Sequence, residues 1–156
     1  MTSESGIRVY ADTSVYGGFF DEEFAAPTQF FFQQVREERF RLVDSPLIED
    51  ELAEAPEAVR SLHQEFSMRG ETATLNQEAV QLQLAYIEAG VVSPKWEVDA
   101  LHVALATVLG CEIVVSWNFK HIVHYEKIEG YNEVNVANGY GPIRIHTPQE
   151  VISYED

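Results

Sequence analysis

Three acidic residues and one carboxamide lie at the boundaries of predicted strands and helices. Asp12 follows the first predicted strand, and Glu51 lies in the helix after the second. Asp99 begins a long helix, and Asn118 follows the buried strand after that helix. Because the carboxyl ends of parallel strands lie at one edge of a sheet, these four side chains can converge there. They would form an all-oxygen site suited to Mg²⁺ or Mn²⁺, which activates water and stabilises a displaced phosphate oxygen.

The acidic residues also have simpler structural interpretations. Taken alone, Asp12 is better explained as the N-cap of the next helix. Most helical acids are solvated, but Glu51 comes four residues after Leu47 and three after Ile48, so it lies beside the apolar face of its helix. It is the acid of that helix most able to point inward. Without a metal, carboxylates clustered in this way would raise one another's pKa.

The elements that must position these side chains alternate along the chain. Apolar, β-branched runs predict strands, and runs with helical periodicity and capping residues predict helices. The predicted strands are 6–11, 41–44, 112–116 and 142–146. The predicted helices are 27–40, 46–55, 56–68, 77–89, 99–109 and 149–153. This alternation indicates an α/β fold with a mostly parallel sheet.

Three further segments have weaker patterns. Residues 71–75 are predicted to be a connector or a very short strand. Gly17 and Gly18 permit a bend after the first strand. The segment 123–141 is polar, aromatic and rich in Asn and Gly, and we predict a loop or lid there.

Composition indicates a single domain spanning residues 1–156. The length of 156 residues and a hydrophobic content of 46% are sufficient for a packed core without disulfides. Cys111 is the only cysteine, which excludes an internal disulfide and a cysteine-based zinc site. The start of the chain lacks the features of a signal peptide, and no apolar run approaches the roughly 20 residues of a membrane span. We therefore expect a cytoplasmic protein with no membrane partner.

The charge balance restricts the possible partners. The chain has 26 acidic and 10 basic residues, which gives a net charge of −16. Nucleic-acid-binding proteins usually present a basic surface, and this chain has none overall. If the protein acts on RNA, a local basic strip, a metal ion or a basic partner protein must offset the negative field.

Several segments, taken in order, carry a family resemblance. YADTSV, SPLIEDEL and DALHVALATVLGCEIVVSWNFKHI resemble the PIN domain family, and in particular its VapC-type members, the toxins of toxin–antitoxin pairs. The likeness extends to the closing IRIHTPQEVI and so covers almost the whole chain. The resemblance implies an α/β/α sandwich, a metal-dependent endoribonuclease acting on single-stranded RNA, an antitoxin partner and a homodimer.

The resemblance also implies roles for individual residues. Asp12, Glu51 and Asp99 match the family's acidic positions, Glu51 through the S-x5-E-L pattern that starts at Ser45. The fourth acidic position is matched by the neutral Asn118. These four would be the catalytic and metal-ligating residues, with Mg²⁺ or Mn²⁺ as cofactor.

The resemblance implies supporting residues and shows one further departure from the family pattern. Thr13 or Ser14 matches a hydroxyl position that often supports the first Asp. A second acid that is often found two residues after the fourth acidic position is replaced by Lys120. An Asn oxygen can still act as a ligand, so the site is not read as inactive, although weaker metal binding and weak activity are expected.

Other polar and aromatic residues keep two interpretations each. His102 shares a helical face with Asp99, so it can contact phosphate or a metal-bound water, or be a packed core histidine. His121 and His124 have the spacing of a partial zinc site but lack an obvious third ligand. Lys120 and His121 can meet substrate phosphate or lie in a solvated turn. Trp117 can stack on a base or belong to the core.

The sequence therefore predicts a PIN-like, metal-dependent endoribonuclease of toxin type. Two alternatives remain open. The neutral Asn118, Lys120 and the net charge would also suit a catalytically weak or inactive PIN-fold module that acts through a protein partner or a dimer. The second alternative is a phosphatase or other small-substrate phosphotransferase that uses a similar acidic pocket.

Overall fold

The computed structural model describes residues 6–152, and it contains a five-stranded sheet whose strands are all parallel in the order β3-β2-β1-β4-β5. The strands are β1 (Ile7–Ala11), β2 (Phe40–Asp44), β3 (Glu71–Thr72), β4 (Ile113–Val115) and β5 (Arg144–His146). Four of them agree with the predicted strands, and β3 falls in the segment predicted to be a connector or very short strand. The last residue of the predicted 149–153 helix lies outside the described residues.

Eight α-helices connect and flank these strands within residues 6–152. They are α1 (Thr13–Gly18), α2 (Ala25–Arg36), α3 (Pro46–Leu52), α4 (Glu57–Ser67), α5 (Gln77–Glu88), α6 (Glu97–Val108), α7 (Tyr125–Ala137) and α8 (Pro148–Val151). A short 3-10 turn, Pro94–Trp96, precedes α6. Helices α5, α6 and α7 pack together on one face, while α1, α2, α4 and α8 form the other layer. The predicted three-layer α/β/α architecture is confirmed.

The centre of the sheet places the candidate site. Strand β1 lies between β2 and β4, with Val9 paired to Leu42 on one side and to Ile113 on the other. The chain adds β2 and β3 on one side of β1 and then returns to add β4 and β5 on the other side. In such sheets a crevice opens where the direction of winding reverses, at the carboxyl ends of the two central strands. Here that crevice lies after Ala11 and Val115.

The prediction of a loop or lid over 123–141 is wrong, because most of this segment is helix α7. The side chain of His124 accepts a hydrogen bond from the backbone N–H of Glu126 and caps the helix. The helix buries a polar residue, Asn135, whose Oδ1 accepts a 2.5 Å hydrogen bond from the Tyr86 hydroxyl of α5. A helix that packs through polar contacts lacks the apolar stripe on which sequence-based assignment depends.

Gly17 and Gly18, expected to permit a bend, are the last two residues of α1, and the chain turns directly after them. Gly18 is needed for close packing: a Cβ atom there would lie 2.8 Å from the indole ring of Trp117. Gly17 has open space in the same position. The two adjacent glycines therefore have different roles.

The helices of residues 6–152 are all too short or too polar to span a bilayer.

Candidate active site

Asp12 lies at the end of β1, inside the crevice between β1 and β4. It occupies the N-cap position of α1, but its side chain makes no capping hydrogen bond. Instead, its two carboxylate oxygens accept hydrogen bonds from the hydroxyls of Ser14, at 2.6 Å, and Ser116, at 3.0 Å. Ser14 Oγ also accepts the backbone N–H of Trp117, which links α1 to the end of β4. The structure therefore directs Asp12 into the crevice rather than into helix capping.

The electrostatic surroundings of Asp12 are unfavourable for its charge. The side chain is buried, and burial raises the pKa of its carboxyl group; His102 and the two serine hydroxyls act in the opposite direction. The neighbouring carboxylate of Asp99, in the first turn of α6, raises the pKa of Asp12 further. Asp99 is half-buried and forms no hydrogen bond or ion pair within residues 6–152. Two carboxylates thus share the crevice with no Lys or Arg between them to neutralise the pair.

Glu51 belongs to a chain of hydrogen bonds that crosses the site. Its Oε1 accepts from the hydroxyl of Thr13 and lies 2.6 Å from Nε2 of His102. The other ring nitrogen of His102, Nδ1, is 2.8 Å from the Tyr10 hydroxyl, which is 2.9 Å from Ser45 Oγ. This series of hydrogen bonds connects α3, α6 and β1, and it fixes the direction of the Glu51 side chain.

The contacts of Glu51 and His102 indicate which atom donates in the hydrogen bond between them. An ionised carboxylate only accepts hydrogen bonds, so Nε2 of His102 carries the proton that Glu51 receives. At Nδ1, a neutral ring of this tautomer accepts from the Tyr10 hydroxyl, and a protonated ring donates to it. Partial burial acts to raise the pKa of Glu51, but the hydrogen bond and charge of His102 and the Thr13 hydroxyl together lower it below its ordinary value. Glu51 is therefore held as an anion, with Oε2 left outside these two hydrogen bonds.

The structure favours the packed, hydrogen-bonded interpretation of His102, and a contact with phosphate or a metal-bound water stays a prediction. The residue is 1% exposed and packs as a core histidine, yet its ring reaches Glu51 directly. Its aromatic neighbour is Tyr10, whose ring centroid is 5.6 Å away.

Asn118 lies beside the site, but its carboxamide oxygen faces the loop after β4. This oxygen accepts the backbone N–H groups of Lys120, at 3.2 Å, and His121, at 2.9 Å. Its own backbone N–H donates to Ser116 Oγ at 2.9 Å. Asn118 therefore holds the loop in shape, and its oxygen is already used by two donors.

A divalent cation needs several oxygen ligands that lie close to one point. Across residues 6–152, no three His, Cys, Asp or Glu side chains lie close enough together to form a ready metal site. This includes the predicted set of Asp12, Glu51 and Asp99. The chemistry of these groups nevertheless fits a hard cation, because no Lys or Arg acts on Asp12 and Oε2 of Glu51 accepts neither of the two hydrogen bonds.

Within residues 6–152, His121 and His124 belong to no cluster of three His, Cys, Asp or Glu side chains that could hold zinc. His124 caps α7, and His121 stacks on Trp96. Trp117 belongs to the core, since it is buried, stacks on Phe24 and donates to Thr28. These contacts favour the structural interpretations of His124 and Trp117.

Sequence reasoning missed Ser116, Tyr10 and Ser45 as members of the site. Ser116 stands between an apolar strand and Asn118, so a hydroxyl at a strand end was a signal that could have identified it. Tyr10 carried no such signal, because it reads as an ordinary strand residue. Its partner His102 is 92 residues away in the sequence.

Comparison with known proteins supports the architecture. No family model matches the sequence, and no curated protein matches it significantly. Among solved structures, the chain is similar to VapC20 of Mycobacterium tuberculosis, described as a toxin that cleaves the sarcin-ricin loop. The TM-score is 0.50 at 13% sequence identity, covering 87% of this chain and 98% of the toxin chain. This chain has a PIN-like fold.

The PIN-like fold agrees with the resemblance seen in the sequence motifs. At 13% identity the likeness concerns the fold, so the chemistry of this PIN-like protein has to be argued from its own residues. Those residues are two interacting carboxylates in the β1–β4 crevice and a third that is oriented by His102 and Thr13.

Proposed function

We propose that this PIN-like protein is an endoribonuclease that uses Mg²⁺ or Mn²⁺ to hydrolyse phosphodiester bonds of single-stranded RNA, as the toxin of a toxin–antitoxin pair. The observation that carries the proposal is the pair of interacting carboxylates, Asp12 and Asp99, in which buried Asp12 has two serine hydroxyls as hydrogen-bond donors and no Lys or Arg acting on it. Such a pair needs a cation to neutralise it. The similar solved structure is that of a toxin described as cleaving the sarcin-ricin loop, which supports RNA as the substrate class.

Asp12, Asp99 and the spare oxygen of Glu51 are the residues that would hold the metal. When bound, the ion activates water and stabilises the displaced phosphate oxygen. Ser14 and Ser116 hold Asp12 in place through both of its oxygens.

The remaining residues orient the site. Thr13 and His102 fix the direction of Glu51 and keep it ionised. Because its oxygen is used in the loop, Asn118 acts by holding that loop or through an intervening water rather than as a direct ligand.

Cleavage of a mixed pool of single-stranded RNA tests the proposal. Wild-type protein, Asp12→Asn, Asp99→Asn and the control Glu49→Gln are each incubated with Mn²⁺, Mg²⁺ or EDTA. Glu49 is an exposed acid of α3, so its variant removes the same charge at the surface. We expect cleavage by the wild type and the control with metal, no cleavage in EDTA, and a loss of at least about a hundredfold in the two Asn variants. Full activity in either Asn variant would reject the proposal.

The second candidate is a PIN-fold binding module with little or no catalysis. It is favoured by the neutral Asn118, whose oxygen is committed to the loop, and by the separation of the three carboxylates. Calorimetric titration with Mn²⁺ separates the two candidates. The nuclease requires heat of binding that is lost in Asp12→Asn, whereas the module requires no binding by the wild type.

The proposed toxin role carries further proposals about partners and location. An antitoxin protein would neutralise the nuclease, and both would act in the cytoplasm, where RNA is the target. We also propose a homodimer: Val80 and Leu84 of α5 lie one helical turn apart and are 37% and 53% exposed, so they offer an apolar contact. A change of apparent mass in Leu84→Glu by light scattering would support this surface, and an unchanged dimer would exclude it.

A further inference from the structure

Two segments beside the carboxylates meet through stacked rings. Trp96 belongs to the 3-10 turn before α6, and His121 belongs to the loop after β4. Their ring centroids are 4.1 Å apart with an angle of 24° between the planes. Trp96 is 38% exposed, so a large part of its surface remains open to solvent. The stacked pair therefore presents aromatic surface at the edge of the sheet that carries the site.

Two lysines accompany the stacked rings. Lys95 Nζ lies 5.1 Å from the centre of the Trp96 ring, and Lys120 is an exposed neighbour of His121. In the described part of the chain, neither lysine forms an ion pair. In contrast, other basic residues are paired with carboxylates: Arg8 and Arg41 with Glu71, and Arg36 and Arg69 with Glu65. In a chain of net charge −16, these two ammonium groups are left available at this edge.

The stacked pair and its lysines adjoin the carboxylates from two directions. Trp96 is the N-cap residue of α6, whose first turn carries Asp99. The backbone N–H of His121 donates to Asn118 Oδ1 at 2.9 Å, in the loop that follows Ser116. A polymer lying on Trp96 and His121 would therefore lie next to the segments that carry Asp99 and Asn118.

We propose that Lys95, Trp96, Lys120 and His121 form a binding strip for single-stranded RNA, in which an unpaired base extends the Trp96–His121 stack and the two ammonium groups contact the adjoining phosphates. The strip rests on the proposed ribonuclease function, since it names how that substrate is held. Every base has a flat face that can stack on an aromatic ring, so this binding tolerates different sequences. In a duplex the bases stack on each other, so the strip selects unpaired RNA.

The strip resolves the conflict between an acidic chain and an anionic substrate. Base stacking does not depend on net charge, and two local lysines supply the phosphate contacts that the overall surface lacks. Each lysine–phosphate contact releases counterions, so it adds a measurable salt dependence of about 0.7 in the slope of log affinity against log salt for a single strand.

Equilibrium binding of a short, fluorescently labelled single-stranded RNA tests the strip. The measurement is made in EDTA over a series of salt concentrations with the wild type, Trp96→Leu, Trp96→Phe and Lys120→Gln. Arg144→Gln is the control. Arg144 is exposed and forms no ion pair within residues 6–152. It is the first residue of β5, so it lies at the amino ends of the strands, whereas the candidate site lies at their carboxyl ends. Circular dichroism shows whether each variant is folded.

We expect Trp96→Leu to raise the Kd about 5- to 150-fold, whereas Trp96→Phe keeps a flat ring and most of the affinity. Lys120→Gln should lower the salt slope by about 0.7, and Arg144→Gln should leave both affinity and slope unchanged. Wild-type protein should bind the matching RNA duplex more weakly than the single strand.

Three results would overturn the strip: no RNA binding by the wild type, an unchanged Kd in folded Trp96→Leu, or equal affinity for duplex and single strand. The proposed function is judged separately by metal-dependent cleavage. RNA binding that depends on Trp96, without cleavage, would reject the nuclease and support the strip. Metal-dependent cleavage together with an unchanged Kd in Trp96→Leu would support the nuclease and reject the strip.

Discussion

The energetic problem at the site is concentrated in one residue, Asp12. The residue is 4% exposed, its carboxylate has only serine hydroxyls as hydrogen-bond donors, and the carboxylate of Asp99 acts on it as a like charge. Desolvation of a charge without a paired cation is costly. The metal-free protein therefore carries a destabilising charge, and binding a cation would remove that cost.

Replacing Asp12 should stabilise the metal-free protein. The pKa of Asp12 is raised by burial, so the folded state holds its proton more tightly than the unfolded state, where the ordinary value is 3.8. The contribution of Asp12 to the stability of the wild type accordingly falls as the pH rises from below 3.8 through the raised pKa, and it is constant above that pKa. In EDTA we expect Asp12→Asn to melt at a higher temperature than the wild type at neutral pH, because the variant has no carboxylate to desolvate.

Differential scanning calorimetry across this pH range checks the prediction. The gap between Asp12→Asn and wild type should shrink towards the acid end, where both carry a neutral side chain. The surface variant Glu49→Gln should show no comparable gap. A lower melting temperature of Asp12→Asn at neutral pH would mean that the carboxylate is already compensated in the metal-free protein.

The sequence indicated the acidic residues of the candidate site and, through the family resemblance, Thr13 or Ser14 as a support for Asp12, but not the contacts of Tyr10, Ser45 and Ser116. Asp12, Asp99 and Glu51 were visible because their positions follow from strand ends and helix faces. The chain from Ser45 through Tyr10 and His102 to Glu51 depends on three elements that meet only in the folded molecule. Whether Asn118 would serve as a ligand could not be inferred either, because that depends on which way its oxygen turns.

Among the elements, α1 shows how a short helix supports the site. It begins directly after Asp12 and provides Thr13 and Ser14, and it packs against Trp117 through the Cα of Gly18. Trp117 is fixed in turn by its hydrogen bond to Thr28. A two-glycine segment in a sequence suggests flexibility, whereas here one of the two glycines provides close packing.

The adjacent glycines of α1 should respond in opposite ways to alanine. Gly17→Ala meets no atom within 4 Å and should stabilise the protein by about 0.5–1 kcal/mol through the entropy of the unfolded chain. Gly18→Ala places a Cβ 2.8 Å from the indole of Trp117 and should destabilise it by about 1–3 kcal/mol. Urea unfolding of the two variants measures both. Equal effects of the two substitutions would show that Trp117 can move aside.

Helix α7 marks the limit of prediction at the level of elements. The sheet strands and α2 to α6 followed from apolar patterns and capping residues, with ends shifted by a few residues. Helix α7 did not, because Asn135 is buried and forms hydrogen bonds with Tyr86 and Thr107, whereas the hydrophobic pattern of a helix predicts an apolar residue at a buried position. Polar packing can be recognised only when both partners are known.

For the whole molecule, the dominant feature is its net charge of −16. Acidic groups distributed over the surface repel one another and destabilise the compact state. Salt screens this repulsion with a Debye length of about 10 Å at 0.1 M. The parallel topology brings the carboxylates of the candidate site, Trp96 and two lysines to one edge of the sheet.

Salt and divalent cations should therefore stabilise the protein by different amounts. We expect the melting temperature at neutral pH to rise with NaCl, because screening relieves the repulsion. At equal ionic strength, MnCl₂ should raise it further in the wild type, because specific binding to the folded state adds stability by mass action. Asp12→Asn should keep the NaCl effect and lose the additional effect of MnCl₂. Equal effects of both salts on the wild type would argue against a specific site.

The chemical groups at the ends of the RNA fragments show whether the protein hydrolyses RNA with a metal-activated water. A single-stranded RNA of known sequence is incubated with wild-type protein in Mn²⁺ or in EDTA, and the fragments are identified by mass spectrometry. When water attacks phosphorus and the 3′ oxygen leaves, the products carry a 3′ hydroxyl and a 5′ phosphate, and we predict these ends, with Mn²⁺ only. Fragments that end in a 2′,3′-cyclic phosphate would instead show attack by the 2′ hydroxyl of the RNA, and equal cleavage in EDTA would show that no metal is needed. Either result would contradict hydrolysis by a metal-dependent carboxylate site.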